Sequence, residues 1–257
     1  MKIALAAATA VLMAATVPSA AADIAVKATP YAPAAVYSWT GFYVGGNVGG
    51  GMASSHFDDP CQAYCTSATP TSGFFTGGGQ VGYNYQFGSG LVGIEADVNG
   101  NSAFKNSVIG GGNPLAMTVG TKADLSGTIR ARAGLVMNNA LVYATGGAAW
   151  ADVKQTGVEF TNTTAQPTFG QPTGLTANRS GVLWGGVIGA GVEFAMGPNW
   201  TVGGEFLHTM YADGDANLVN PDGTSACRGS RPATNCVIRN NLTTDVARVK
   251  FNYKFAP

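Results

Sequence analysis

Charge is scarce in this chain of 257 residues, and the charge that is present cancels. Asp, Glu, Lys and Arg make up 11% of the sequence, and the formal net charge is zero. Disordered chains carry more charge and fewer apolar residues than this. Proteins that bind nucleic acid generally carry an excess of Lys and Arg, which this chain lacks. The composition therefore indicates a folded protein and predicts no nucleic-acid partner.

Long apolar runs are also missing, apart from one at the N-terminus. Residues 3–17 are apolar, follow Lys2 and precede small residues that end at Ala22. This pattern predicts a secretory signal peptide over residues 1–22, with cleavage after Ala22. The run is shorter than the roughly 20 residues that a membrane-spanning helix needs. We therefore expect an exported protein that crosses any membrane with strands.

Alternation of apolar and polar residues is the main pattern in the rest of the chain, and it predicts β-strands. The clearest example is residues 245–255, where apolar and aromatic residues take one face and charged or amide residues take the other. We predict eight strands, over residues 42–52, 73–87, 91–99, 124–137, 141–153, 181–194, 200–211 and 245–255. Neither face of the fifth strand is polar, so its faces stay unassigned.

Short and long connections alternate between these strands. Residues 88–90, 138–139 and 197–199 are tight turns, while residues 53–72, 100–121, 154–178 and 212–240 are long loops. In lipid every backbone N–H and C=O group needs a protein partner, so membrane-spanning strands must close into a barrel. An even strand number, short periplasmic turns and long outer loops are typical of bacterial outer-membrane barrels. We therefore predict an all-β fold: an eight-stranded antiparallel up-and-down transmembrane β-barrel over residues 39–257.

Residues 23–38 follow neither the helical nor the strand period. They carry Pro30 and Pro33 among several alanines. Proline and a lack of periodicity are typical of extended segments. We expect residues 23–38 to form a periplasmic leader in front of the barrel.

Aromatic residues gather at both ends of the predicted strands. Such rings are enriched where a barrel meets the lipid headgroups, so they favour a membrane barrel over a soluble barrel with its apolar face inside. At the tight-turn end we expect a girdle of Trp39, Phe42, Tyr43, Tyr85, Phe87, Tyr143, Phe194, Trp200, Tyr253 and Phe255. At the other end we expect Phe74, Phe75, Trp150, Trp184 and Tyr211.

Three motifs resemble a known family. They are W-T-G-F-Y-V-G-G-N at residues 39–47, Y-A-T-G-G-A-A-W at 143–150 and V-K-F-N-Y-K-F at 249–255. They are similar to the small outer-membrane β-barrels of alphaproteobacteria, porin-like surface antigens related to the OmpA transmembrane domain. The resemblance implies an integral outer-membrane protein with no catalytic site and no cofactor. Its implied partners are outer-membrane lipids, lipopolysaccharide and the barrel-assembly machinery.

The last predicted strand carries the aromatic signal that assembly of such barrels is expected to use. In this chain the signal consists of Phe251, Tyr253 and Phe255. The family usually ends on the aromatic residue, whereas here Ala256 and Pro257 follow it.

The four cysteines form two local pairs inside long loops, Cys61 with Cys65 and Cys227 with Cys236. Exported chains meet an oxidising compartment, so disulfides are expected and a metal site is not. The two loops flank the seam between the first and last strands, so crossed pairing stays open.

His208 has no nearby serine on its face and no evident acidic partner, so we predict no enzyme activity. His56 lies beside Asp58 and Asp59, a cluster that we interpret as a solvated loop, with weak cation binding as the alternative.

Charged residues are expected inside the barrel if the apolar faces contact lipid. Both signs occur among them, and an isolated buried charge is costly, so they should pair across the lumen. The predicted network consists of Glu95, Asp97, Arg130, Arg132, Glu193, Glu205, Arg248 and Lys250. Lys254, near the rim, is expected to stay solvated.

These features predict an integral outer-membrane protein that contributes to membrane structure and surface display, with a lumen filled by side chains. Eight strands enclose a space that side chains can just fill, which argues against a wide channel. Two alternatives remain. The first is a small porin-like pore, and the second is an adhesin or receptor whose loop ligand the sequence does not identify.

Overall fold

The computed structural model describes residues 37–58, 69, 71–102, 107–109, 115–162, 169–212, 216–217 and 237–255. The predicted signal peptide, most of the predicted leader, all four cysteines and the last two residues lie outside the described residues. The described residues form ten strands: β1 Gly41–Asp58, β2 Thr71–Phe87, β3 Gly90–Asn101, β4 Ser107–Ile109, β5 Leu115–Met137, β6 Ala140–Asn162, β7 Phe169–Ala195, β8 Trp200–Tyr211, β9 Ala216–Asn217 and β10 Val237–Lys254.

Eight of these strands close into an antiparallel barrel. Their order is β1-β2-β3-β5-β6-β7-β8-β10, and pairing of β10 with β1 completes the ring. The short strands β4 and β9 pair with β5 and β10. The predicted fold class is confirmed. The described residues contain no helix of the length and apolar character that crossing a membrane requires.

The three tight turns lie at one end of the barrel, called the turn end below. Gly88, Asn138 and Gly197 adopt positive φ angles of 59°, 56° and 102° there. Glycine and asparagine tolerate this conformation, which a tight turn between antiparallel strands requires. The opposite end, where the long connections begin, is called the loop end.

Several strands run further toward the loop end than the sequence predicts. β8 matches its predicted bounds, but β5 begins at Leu115 rather than 124, β6 ends at Asn162 rather than 153, and β7 begins at Phe169 rather than 181. Pairing of β5 with β6 continues to the register pair Leu115–Thr161. The first and last strands are longer too, β1 reaching Asp58 and β10 beginning at Val237. Backbone hydrogen bonds between strands do not require apolar alternation, so the pairing can extend beyond the pattern that the sequence shows.

The outer wall of the barrel is apolar and the inner wall is largely polar. Val48, Ile94, Ile129, Ile188 and Val249 are among the exposed apolar residues on the outside. The inner face carries the buried charged and amide residues described below. β6, whose faces the sequence left unassigned, also alternates: Leu141, Tyr143, Thr145, Ala149 and Ala151 are buried inside.

The predicted aromatic girdles are only partly correct. Phe42, Phe87 and Trp200 are exposed on the outer wall at the turn end, and Phe75 and Trp184 are exposed nearer the loop end. Four predicted girdle residues instead lie buried inside: Trp39, Tyr43, Phe74 and Tyr143. A fifth, Tyr211, is partly buried and lines the lumen. Adjacent side chains of a strand point to opposite faces, so the neighbours of Phe42 and Phe75 must point inward.

Candidate functional site in the barrel lumen

Eight charged side chains lie together inside the half of the lumen nearer the turn end. Four are acidic and four are basic, so their formal charges cancel, and every one is at least 95% buried. They come from β3, β5, β7, β8 and β10 and are the eight residues singled out from the sequence: Glu95, Asp97, Arg130, Arg132, Glu193, Glu205, Arg248 and Lys250. We call this group the ionic network.

Arg130 binds three carboxylates. Its Nη2 donates to Glu95 Oε1 (2.5 Å) and to Asp97 Oδ2 (3.1 Å), and its Nη1 donates to Glu205 Oε1 (3.0 Å). Arg248 repeats the pattern, since its Nε lies 2.8 Å from Glu205 Oε2 and its Nη2 lies 3.0 Å from Asp97 Oδ2. Each carboxylate therefore has more than one cationic partner, which offsets the cost of burying it.

Lys250 and Arg132 extend the ionic network toward the turn end. Lys250 Nζ lies 2.6 Å and 2.8 Å from the two carboxylate oxygens of Glu95. It also lies 3.6 Å from the carboxylates of Glu193 and Glu205. Arg132 Nη1 bridges Glu95 (3.2 Å) and Glu193 (2.8 Å). The network is therefore continuous across the lumen.

Two tyrosines hold the guanidinium of Arg132 from both sides. Its central carbon lies 5.1 Å from the ring centroid of Tyr43 and 4.7 Å from that of Tyr143. The Tyr43 hydroxyl donates to Glu95 (2.7 Å), and the Tyr143 hydroxyl donates to Glu205 (2.9 Å). Each ring thus makes a cation–π contact with one member of the ionic network and a hydrogen bond with another.

Glycines opposite these tyrosines make room for the rings. Tyr43 pairs with Gly82 and Tyr143 pairs with Gly191 in the strand register. A Cβ atom on Gly82 would lie 2.3 Å from Tyr43, and one on Gly191 would lie 2.6 Å from Tyr143. Both tyrosines were predicted to lie in the aromatic girdle, although Tyr43 shares its parity with the polar Asn47.

Residues 37–40, called the plug below, close the lumen at the turn end, beneath the ionic network. Trp39 is 1% exposed and packs in one cluster with Leu91, Leu141 and Tyr143, and Tyr37 stacks edge-on against it at 4.9 Å. Burial, reinforced by the charge of a nearby glutamate, raises the pKa of Tyr37 to about 12. The sequence assigned Tyr37 to the leader and did not anticipate this packing, because residues before β1 carry no periodicity.

Lys254 holds the plug in place. Its Nζ donates to the carbonyl oxygen of Ser38 at 2.5 Å and lies 5.0 Å from the ring centroid of Tyr37. Lys254 is 7% exposed. The expectation that it stays solvated was therefore wrong, because the segment before β1 folds over it and supplies its partners.

The half of the lumen nearer the loop end contains a cluster of buried apolar residues: Ala53, Phe74, Ala123, Ala151, Val153, Leu183 and Leu242. Four of them, Phe74, Ala123, Ala151 and Leu242, line a cavity of ≈ 50 Å³. The cavity is also lined by polar residues, which include several threonines and Asp97 and Arg248 of the ionic network. Strand parity alone does not separate this apolar inner region from the apolar outer wall.

The remaining predicted residues lie elsewhere. Phe251 and Phe255 are exposed on the outer wall, where Trp200 stacks on Phe251 at 4.8 Å and lies 4.9 Å from Tyr253. Their assembly role stays a prediction, as do the disulfides.

His208 does have an acidic partner, contrary to the sequence analysis. Its Nδ1 lies 2.7 Å from Asp245 Oδ1, on the neighbouring strand, and the two residues form a register pair. Register between distant strands is not readable from alternation, which explains the omission. Among the described residues no hydroxyl group hydrogen-bonds to the His208 ring.

Chemically, the lumen is a neutral, closed ionic network rather than a reactive centre. All four cations have carboxylate partners within 4 Å. Such a network fixes strands to one another and leaves no free charge for a passing solute.

Comparison with known proteins identifies the chain's relatives. Residues 7–255 match the model of the outer membrane protein beta-barrel domain. The chain is 34% identical over 248 residues to the 31 kDa outer-membrane immunogenic protein of Brucella melitensis biotype 1, covering 91% of this chain and 92% of the relative. It is 32% identical over 198 residues to the 22 kDa outer membrane protein of Rhizobium leguminosarum bv. viciae, covering 75% and 72%.

Among solved structures, the chain is similar to Ail, the attachment invasion locus protein of Yersinia pestis. The identity is 11% and the TM-score is 0.33, and the match covers 83% of this chain and 99% of Ail.

Proposed function

The chain belongs to the family of outer-membrane β-barrel proteins, and from this premise we propose that it is a non-catalytic structural protein of the cell envelope. It occupies the outer membrane with a sealed barrel and presents its loop end to the outside. The relatives are named as outer-membrane and immunogenic proteins, which fits a protein exposed at the cell surface.

The closed lumen is the observation that carries this proposal. The ionic network fills the half of the barrel nearer the turn end, and Trp39 closes that end beneath it. A solute passing through would have to displace buried ion pairs, which costs several kcal/mol per uncompensated ion, by order of magnitude. This favours a structural role over the alternative of a small pore.

Side chains on the outer wall support the proposal that lipopolysaccharide and other outer-membrane lipids are partners of this protein. Trp150 and Trp184 form a register pair, and Lys154 follows four residues after Trp150 on the same face of β6. Lys154 and Lys122 are themselves a register pair, with Asp124 2.7 Å from Lys122 and 3.2 Å from Lys154. At the boundary of the membrane, such aromatic rings can contact the acyl chains while the lysines beside them contact the anionic headgroups. Insertion by the barrel-assembly machinery completes the proposal.

Conductance across planar bilayers separates the structural role from the pore. We expect no steady ion conductance from the purified protein at neutral pH. Trp39→Ala serves as the matched variant, because it removes the plug and leaves the ionic network in place. A stable conductance of the unmodified protein would overturn the proposal, whatever the variant does.

A deletion strain tests the structural role itself. We expect leakage of periplasmic enzymes and sensitivity to detergent, both reversed by the full protein and by a variant with trimmed loops. Rescue by the full protein alone would instead favour the loops as the active part.

The length of β5, β6 and β7 favours surface binding as a second candidate function. They contain 23, 23 and 27 residues, whereas about 9–11 residues cross a bilayer. The surplus forms paired strands beyond the membrane, a rigid platform for contact with another surface. Replacing residues 156–178 with a short turn should abolish cell attachment without causing leakage if this function operates.

A further inference from the structure

His208 and Asp245 form a polar pair on the outer wall of the barrel. Their side chains are 35% and 46% exposed, and His208 Nδ1 lies 2.7 Å from Asp245 Oδ1. Both side chains point away from the lumen, because their strand neighbours Leu207 and Thr244 are buried inside. Exposed apolar side chains surround the pair: Met52 and Ile188 in the same register row, and Phe206 and Met210 on β8.

The strand register places the pair inside the membrane, near its loop-end edge. Following paired residues once round the barrel leads from Phe42, exposed at the turn end, through His208 and Asp245 to Met52, ten residues beyond Phe42 on β1. Six of the eight steps of this circuit lead to His208 and seven lead to Asp245. At a rise of about 3.3 Å per residue and a strand tilt of about 40°, the pair lies roughly 20 Å from Phe42 along the barrel axis. The apolar band of such barrels is about 25 Å tall, so it contains the pair.

Two hydrogen-bonding atoms of the pair remain free. An ionised carboxylate only accepts, so the Nδ1–H group of His208 donates to Asp245 Oδ1. Among the described residues, neither Asp245 Oδ2 nor His208 Nε2 makes another hydrogen bond. Bulk water is absent from the apolar band, and ionisable side chains at this depth are costly without partners and mark functional sites. A donor from a neighbouring molecule would therefore stabilise Asp245 Oδ2.

The surroundings of the pair favour an uncharged donor. The Asp245 carboxylate repels a phosphate, and the lysines expected at the headgroups lie further out, since Lys154 pairs with Ser180, eight residues beyond Ile188 toward the loop end. A metal ion needs more ligands, and in the described part of the chain no third His, Cys, Asp or Glu side chain joins the pair. A hydroxyl group is neutral and donates one hydrogen bond. Because acyl chains surround the barrel at this depth, the hydroxyl group must belong to an acyl chain.

We propose that His208 and Asp245 bind an outer-leaflet lipid whose acyl chain carries a hydroxyl group near its carbonyl end. The hydroxyl group donates to Asp245 Oδ2, and the chain continues toward the turn end over Ala247 and Phe206, an exposed register pair. This inference rests on the lipid partners proposed above and assigns them one site and one class of acyl chain.

The test is a competition between two lipids in nanodiscs that contain the full protein. The discs consist of phosphatidylcholine with small, equal amounts of two phosphatidylethanolamines, one with 3-hydroxymyristoyl chains and one with myristoyl chains. Native mass spectrometry of the released protein counts the lipids that remain bound. We expect the hydroxylated lipid to be enriched about three- to tenfold, because it alone supplies the hydrogen bond.

Two aspartate variants separate this site from the rest of the outer wall. Asp245→Leu removes the acceptor and should abolish the enrichment. Asp152→Leu makes the same substitution at an outward-facing position on β6, three strands away in the barrel, and should leave the enrichment unchanged. Heat-dependent electrophoretic mobility reports whether each variant is folded.

Equal retention of the two lipids by the unmodified protein overturns the proposal, and so does an enrichment that Asp245→Leu leaves intact. A dimer that Asp245→Leu dissociates, without lipid enrichment, would assign the pair to a contact between two copies and overturn it as well. These outcomes leave the broader lipid contacts standing, which only a protein that retains neither lipid would contradict. Should Asp245→Leu not fold, the ratio of the two lipids on the unmodified protein still decides.

Discussion

Replacing Arg130 with methionine should destabilise the barrel by about 3–5 kcal/mol. Arg130 is in ion-pair contact with Glu95, Asp97 and Glu205. Adding the three contacts would overestimate the loss, because Arg248 remains within 3.0 Å of Asp97 and 2.7 Å of Glu205. The loss arises instead from one net negative charge that stays buried in a low-dielectric lumen, which is the case of an ion pair with one partner removed.

The double variant Arg130→Met with Glu205→Gln restores neutrality, with three cations facing three carboxylates. Its destabilisation should be at least about 1 kcal/mol smaller than the sum of the two single effects. The control is Lys154→Met, which removes an exposed ion pair at 3.2 Å from Asp124 and should change stability by about 0.5 kcal/mol or less.

The assay is equilibrium unfolding by urea in lipid vesicles, followed by tryptophan fluorescence and by electrophoretic mobility. Equal denaturant slopes across the unmodified protein, the two single variants, the double variant and the control show that the compared states are the same. Single effects that add within about 0.5 kcal/mol would refute the reasoning, because additivity means that Arg130 and Glu205 do not share one network.

Three further predictions concern packing, assembly and the loops. Gly82→Ala should cost about 1–3 kcal/mol in the same urea assay, because its Cβ would overlap Tyr43, whereas Gly79→Ala, with its nearest atom at 3.6 Å, should be neutral; equal effects would contradict the close packing. Phe255→Ala should lower the amount of folded barrel in cellular outer membranes while deletion of the two residues after it should not, and the reverse result would misplace the assembly signal. Reducing agents should leave the unfolding midpoint of the barrel unchanged if both cysteine pairs are local, and a non-reduced peptide that joins the first and last long loops would contradict local pairing.

The lumen charges were predictable because strand geometry is strict. In a strand every second side chain faces the same side, so one polar residue fixes the direction of its neighbours at i±2. The same parity places Arg130, Arg132 and Thr128 inside together, and the structure brings all eight predicted charges into one cluster. Alternation does not predict which residues of two strands are paired, so the His208–Asp245 contact was not predicted.

Other features were not predicted, for different reasons. Tyr43 was assigned to the girdle from its position along the strand, although its parity already pointed inward. In β6 and β7 the apolar alternation of the sequence ends near residues 153 and 181, whereas the register pairing continues through Thr156–Asn178, so the pattern does not predict the full length of these strands. Trp39 precedes β1, and its burial depends on a fold of the chain over the barrel opening that local periodicity cannot report.

The plug at the turn end joins the two ends of the barrel sequence. Its carbonyl at Ser38 accepts a hydrogen bond from Lys254, the residue before the last described one, and the amide N–H of Phe255 donates to the carbonyl of Phe42. Residues 37–40 leave the ribosome and the export channel long before Lys254 does, yet they have no lumen to enter until β10 has paired with β1. Burial of Trp39 is therefore a late step of folding. The pairing of β10 with β1 that closes the barrel also allows the plug to close the turn end of the lumen.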